Sequence, residues 1–148
     1  AYPLVMALAV GLTDNAYYKA HIAPAANFVA AHGPAGVGPE RWEEQSGFSP
    51  STISAEIAGL IAAAVIADKN GDHASARVWR GVADEFQRKL KPWTLTTNGS
   101  LSNQPYFIRL SKTGDPNAAN CCRFQQGGGA GITMCVNDFA KFLAAECY

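Results

Sequence analysis

The chain has no block of like charge, no long apolar run and, over its first 120 residues, no cysteine. Each absence removes a class of function. Twelve Lys and Arg offset twelve Asp and Glu. With no basic stretch, the field that holds a phosphate backbone is missing, so nucleic acid is not an expected partner. The longest purely apolar run, Ile57 to Ala67, is shorter than the ~20 residues a helix needs to cross a bilayer, and Glu56 stands at its edge. No membrane anchor is expected. The opening "AYPLVMALAVGLTDN" lacks an initiator Met and a basic n-region, so it reads as a chain entered in mid-helix, with further sequence before it, and not as a signal peptide. The four cysteines, Cys121, Cys122, Cys135 and Cys147, crowd the last thirty residues and cannot staple a whole fold. Adjacent Cys121 and Cys122 lack the usual C-x2-C bite and no His follows them. A local disulfide or free thiols are therefore expected in preference to zinc, and no metal or cofactor is assigned.

What is present is a globular composition in 148 residues, 48% hydrophobic and 10% aromatic, sized for one domain over 1–148. The fold class is mainly α. Asp14 is placed to cap a helix from about Asn15 to Ala31, with Tyr18, Ile22, Ala25, Phe28 and Val29 on one side and Pro24 kinking or dividing it. Ser49 and Pro50 open a second helix that runs to about Lys69 and stops at "NGD". Its middle, "IAGLIAAAVIA", is apolar on every face and must be surrounded by protein. Asp72 caps a third helix, His73 to Lys91, ended by Pro92. Its core positions are taken as Ala74, Val78, Val82, Phe86 and Leu90 beside Trp79, with Arg77, Asp84 and Arg88 in water. A buried helix followed by a one-sided helix is the alternation of an inner and an outer ring in a helical barrel. Residues 94–118 read as a long structured loop or a short β-ribbon, with β-prone pieces near Thr94 to Thr97 and Tyr106 to Leu110. A last helix is expected over Thr133 to Cys147.

The chemistry concentrates in "ERWEEQSGFSPST", residues 40–52. Cleaving a glycosidic bond takes a carboxyl that protonates the leaving oxygen and a second, separated carboxyl that activates water or attacks carbon. Glu43 and Glu44 could divide labour, one aimed at the scissile oxygen and the other bonding sugar hydroxyls while raising its neighbour's proton affinity. Trp42 offers a flat face for a pyranose ring, and Arg41 can hold hydroxyls or orient a carboxylate. From residue types and spacing alone, the same W-E-E is also a capping loop with solvated acids. Gln45 reads as a loop-fixing amide and Glu56 as the holder of a satisfied internal hydrogen bond. His21, His32 and His73 lack ligand-like spacing, and Tyr17 and Tyr18 read as packing residues.

The string "GPERWEEQSGFSPSTISAEIAGLIAAAVIADKNGD", with "AYPLVMALAVGLTD", "HIAPAANFVAAHGP" and "YFIRLSKTGDPNAA", resembles the catalytic domain of bacterial glucoamylases and glucodextranases, glycoside hydrolase family 15. The likeness runs from about Tyr2 to Ala119. It implies part of an (α/α)6 barrel and inverting hydrolysis of α-linked glucose polymers, without a cofactor. It also implies Glu43 as general acid, Glu44 and Trp42 on the sugar, and Arg109 of "YFIRLS" holding the terminal glucose. The family's base lies downstream of the matched part, and no residue here matches it. Asp115, Asp138 and Glu146 are the downstream acids. After Ala119 the expected Tyr-Asn-x-Gly-Asn-Gly-Gly-like turn is replaced by "NCCRFQQGGGAG", so residues 120–148 form a divergent tail. Two readings follow: a hydrolase fragment acting on α-glucan, or a non-catalytic helical fragment that binds carbohydrate at most. Under both, an exposed wall of Leu60, Ile61, Val65 and Ile66 implies a homo-oligomer or a complementing chain.

Overall fold

The computed structural model describes residues 1–36, 38–39, 45–99 and 101–118. Its elements in chain order are α1 (Tyr2–Ala9), α2 (Asn15–Tyr17), a π-helical turn (Tyr18–Ile22), α3 (Ala23–His32), α4 (Pro50–Lys69), α5 (His73–Thr94), β1 (Leu95–Thr96) and β2 (Tyr106–Phe107). The expected last helix, the glycine run and all four cysteines lie outside the described residues.

Helix α4 is the centre. Pro50 occupies its first turn, where a missing N–H costs nothing. Ser49 is buried at the N-cap, but its hydroxyl pairs with that of Ser51 at 3.1 Å and does not cap the backbone. The helix stops at Asn70, whose amide donates to the carbonyls of Ile66 and Thr13, and Gly71 follows with φ of 78°. By length and composition alone α4 could cross a membrane. Much of its apolar surface is instead covered by α1, α3 and α5, with Ile53, Leu60, Ala63, Ala64, Ile66 and Ala67 fully buried. Small residues allow the approach. A Cβ on Gly59 would stand 2.9 Å from the Ala1 carbonyl oxygen, so α1 lies directly on this position. The expected apolar wall is absent, because Leu60 and Ile66 are interior and Ile61 alone of those four reaches 39% exposure. The large apolar side chains left in water on α1 and α3 are Tyr2, Met6 and Phe28.

Two registers differ from the sequence reading. In the Asn15–His32 segment the buried residues are Tyr18, Ile22, Ala26 and Val29, while Ala25 and Phe28 face outward. The π-helical turn just before Pro24 carries extra chain per turn, which advances the face from Ala25 to Ala26, while Val29 is buried as expected and Phe28 is not. In α5 a strict four-residue repeat drifts about 40° per step around a helix of 3.6 residues per turn. The core face is therefore Ala76, Trp79, Ala83 and Phe86, with Ala74 and Val78 exposed; Arg77, Asp84 and Arg88 do face water. Pro92 does not end α5, which continues to Thr94. Pro92 falls in the last turn, and the Thr94 hydroxyl donates to the Leu90 carbonyl at 2.5 Å.

Of the three expected caps, those of Asp14 and Asp72 are made and that of Ser49 is not. The Asp14 carboxylate accepts from the Tyr17 N–H at 3.0 Å, and the Asp72 carboxylate accepts from the Ser75 N–H at 3.0 Å. Asp72 also accepts from the buried Tyr18 hydroxyl at 2.7 Å, tying the π-helical turn to the start of α5. Burial and this bond push the Tyr18 phenol up to about 12, and the same bond lowers the Asp72 carboxyl. The Trp79 indole edges against Tyr18 and donates to Asn27 of α3 at 3.0 Å. Tyr18→Phe removes one such bond and should lower stability by about 1 kcal/mol. Asp72→Ala, which also loses the cap, should lower it further. A double-mutant cycle by urea unfolding checks this, with a non-zero coupling term as the expected result.

Candidate functional site

Arg41, Trp42, Glu43 and Glu44 lie outside the described residues; the chain just after them is clear. Gln45 and Ser46 lead to Gly47 and Phe48, and Phe48 forms an antiparallel bridge with Ser111: Phe48 N–H to Ser111 O at 2.7 Å and Ser111 N–H to Phe48 O at 2.9 Å. Gly47 has φ of 150°, and a Cβ there would meet the Ser111 carbonyl oxygen at 2.7 Å. Only glycine lets the two backbones come this close. The Phe48 ring packs on Trp93 at 4.9 Å between centroids, and Trp93 meets Phe86 edge-on. Gly114, with φ of 76°, folds against both Phe48 and Trp93. The bridge thus seats the exit of the R-W-E-E segment on the core of α5.

The other side of the bridge carries Arg109. It stands half-buried between the buried Ile108 and Leu110, two residues before Ser111. Ile108 is held by its N–H to the Thr94 carbonyl at 2.9 Å. The ribbon expected in 94–118 forms as β1 and β2, pairing Leu95 with Phe107 and Thr96 with Tyr106. Behind it, the Asn117 side-chain oxygen accepts from the Thr97 N–H at 2.8 Å and the Thr96 hydroxyl at 3.0 Å, closing the loop on the ribbon. Asp115 accepts from the Asn117 N–H at 2.9 Å and shapes the same turn. The structure therefore brings the Arg109 segment beside the residues that follow Glu44, although Glu43 and Arg109 are 66 positions apart (109 − 43) in the chain. Neither the bridge nor the Asn117 closure has a sequence signal beyond the glycine and the turn-forming residues themselves.

Glu56 corrects an expectation. It is 1% exposed, and neither carboxyl oxygen has a hydrogen-bond partner among the described residues. Burial pushes its carboxyl up to about 7. Of the histidines, His73 contacts Asp68 at 2.8 Å in a surface pair, while His21 and His32 stack on Tyr17 and Phe28. Among the described residues no cluster of His, Cys, Asp and Glu is arranged to hold a metal.

Gly47→Ala tests the bridge. Its side chain would strike the Ser111 carbonyl, so it should cost about 1–3 kcal/mol. It should also strip hydrogen-exchange protection from the Phe48 and Ser111 amides while the amides of α4 keep theirs.

The model of the glycosyl hydrolases family 15 matches residues 1–129. A glucoamylase of Clostridium sp. (strain G0005) is 42% identical over 112 residues, which are 76% of this chain and 16% of that protein. A crystal structure of a bacterial glucoamylase complexed with acarbose superposes with a TM-score of 0.74 at 40% identity, covering 78% of this chain and 17% of that one. The glucoamylase is an (α/α)6 barrel, so the helices described here are part of such a barrel, with a small antiparallel sheet. The chain spans about one sixth of the length of these relatives. With the family model covering most of its length, the chain belongs to glycosyl hydrolase family 15.

Proposed function

We propose that this chain carries the general-acid side of a glucoamylase-like site for α-linked glucose polymers. Glu43 donates a proton to the leaving glycosidic oxygen, Glu44 and Arg41 bond sugar hydroxyls, and Trp42 lies against a pyranose ring. Arg109, held beside this segment through the Phe48–Ser111 bridge, binds the terminal glucose. The observation that carries the reading is the intact R-W-E-E-Q-S-G motif within a family match over residues 1–129. An inverting mechanism needs a second carboxyl roughly 6.5–9.5 Å from the acid, with water between them. The base is sought in Asp115, which accepts from the Asn117 N–H in its own turn, in Asp138 or Glu146, or in another chain, and without it the rate falls by about 10²–10⁴-fold.

Glucose release from maltooligosaccharides and isomaltooligosaccharides, followed by NMR, tests this. The parent chain should release β-glucose slowly, and Glu43→Gln should reduce that release at least about 10²-fold. Equal release from both would remove Glu43 from the role. No release from either would favour the non-catalytic fragment.

A further inference from the structure

The described residues contain the pairs Asn70-Gly71 and Asn98-Gly99. In an Asn-Gly pair the glycine amide nitrogen can attack the asparagine side-chain carbonyl carbon, because no Cβ on the glycine shields it. Whether it does so depends on how firmly the fold engages both groups elsewhere. At Asn70 both are engaged. Its side-chain nitrogen donates to the carbonyls of Thr13 and Ile66 at 2.9 Å each, and its side-chain oxygen accepts from Asn15 Nδ2 at 3.3 Å. The Gly71 N–H donates to the Asp68 carbonyl at 3.1 Å.

Asn98 is placed differently. It is exposed in the loop after β1, and its side-chain nitrogen reaches the Asn117 carbonyl at a long 3.4 Å. Among the described residues the Gly99 N–H has no hydrogen-bond partner. The buried Thr96 hydroxyl shares its proton between Asn117 Oδ1 at 3.0 Å and Asn98 Oδ1 at 3.2 Å. A donor on Oδ1 stabilises the negative charge that this oxygen takes up when the carbon is attacked. Packing also holds a glycine at position 99. A Cβ there would run into the Tyr106 hydroxyl and stand 2.8 Å from Thr96 Cγ2, so the ribbon admits no shielding side chain.

We propose that Asn98 is a site of spontaneous deamidation to aspartate and isoaspartate, with water as the co-reactant, and that the fold protects Asn70 from the same reaction. The Gly99 nitrogen, its proton lost to solvent base, bonds to Asn98 Cγ; the Cγ–Nδ2 bond breaks, and Nδ2 leaves as ammonia with a proton from water. Water then opens the cyclic imide, giving aspartate where the new N–Cγ bond breaks and isoaspartate where the original peptide bond breaks. The carboxylate formed cannot donate to the Asn117 carbonyl, so one tie between the ribbon and the Asp115–Asn117 turn is lost. The reaction stands apart from the hydrolase reading, since it uses neither Glu43 nor substrate, and either can fail alone.

The full chain is incubated at mildly alkaline pH, folded and in guanidinium chloride, and sampled over time. Peptide mapping with electron-transfer fragmentation separates asparagine, aspartate and isoaspartate at each position, and circular dichroism confirms which samples are folded. In the folded chain Asn98 should convert at least about tenfold faster than Asn70, because several hydrogen bonds must open before Asn70 can react. In denaturant the two pairs should convert at similar rates, as the bonds that distinguish them are gone. Equal rates in the folded chain, faster conversion at Asn70, conversion of neither, or an Asn98 that stays intact when folded and converts only in denaturant would overturn the proposal. A preference for Asn98 that persists undiminished in denaturant would overturn it too, by tracing the difference to sequence and not to the fold.

Discussion

Residues Ile57 to Ala67 of α4 present water with almost no polar surface, and the placement of every neighbouring helix serves to cover them. At roughly 25 cal/mol per Å² of apolar surface, leaving such a helix exposed would outweigh most single interactions in a domain this size. The cover comes from three directions. Helix α1 lies on Gly59, α3 is tied to α5 through Asn27 and Trp79, and α5 turns back from Gly71 to run along α4. The Tyr18–Asp72 bond then joins the outer elements to each other. With α4 fixed in this way, its first turn becomes a rigid exit for whatever precedes it, and the R-W-E-E segment precedes it.

Rigidity at one end would not join that segment to Arg109. That task falls to two backbone hydrogen bonds between Phe48 and Ser111, made possible by a glycine at position 47 and backed by the Phe48–Trp93–Phe86 ring series. Sugar recognition asks for polar groups held in place before the ligand arrives, since ordering long side chains on binding opposes affinity. In the proposed site, that order rests on backbone pairing and aromatic packing.

Much of this was legible in the sequence. Pro50 and the "NGD" stop marked both ends of α4, because Pro at a helix start and Gly after its end follow from local backbone geometry. Asp14 and Asp72 announced themselves as caps by the same local logic, and the β-prone pieces around Thr96 and Tyr106 were rich enough in pattern to suggest a ribbon. The motif around Glu43 carried the family. What was not legible depended on contacts distant in sequence. The π-helical turn that rotates α3 by one residue, the continuation of α5 through Pro92 and the pairing of Phe48 with Ser111 are settled by tertiary packing. Glu56 is the sharpest case. A lone acid beside an apolar run implied a hydrogen-bond partner, and the fold instead leaves the carboxyl buried against Gly33 and a cavity.

We propose that the R-W-E-E segment and the Arg109 segment form one sugar-binding surface across the Phe48–Ser111 bridge. Titrating maltotriose into isotope-labelled protein, and following the Trp42 indole and Arg109 Nε–H resonances, tests it most directly. Both signals should move along a common binding curve, and Gly47→Ala should weaken both together. Signals that respond at separate concentrations, or a Trp42 response with Arg109 unmoved, would contradict it.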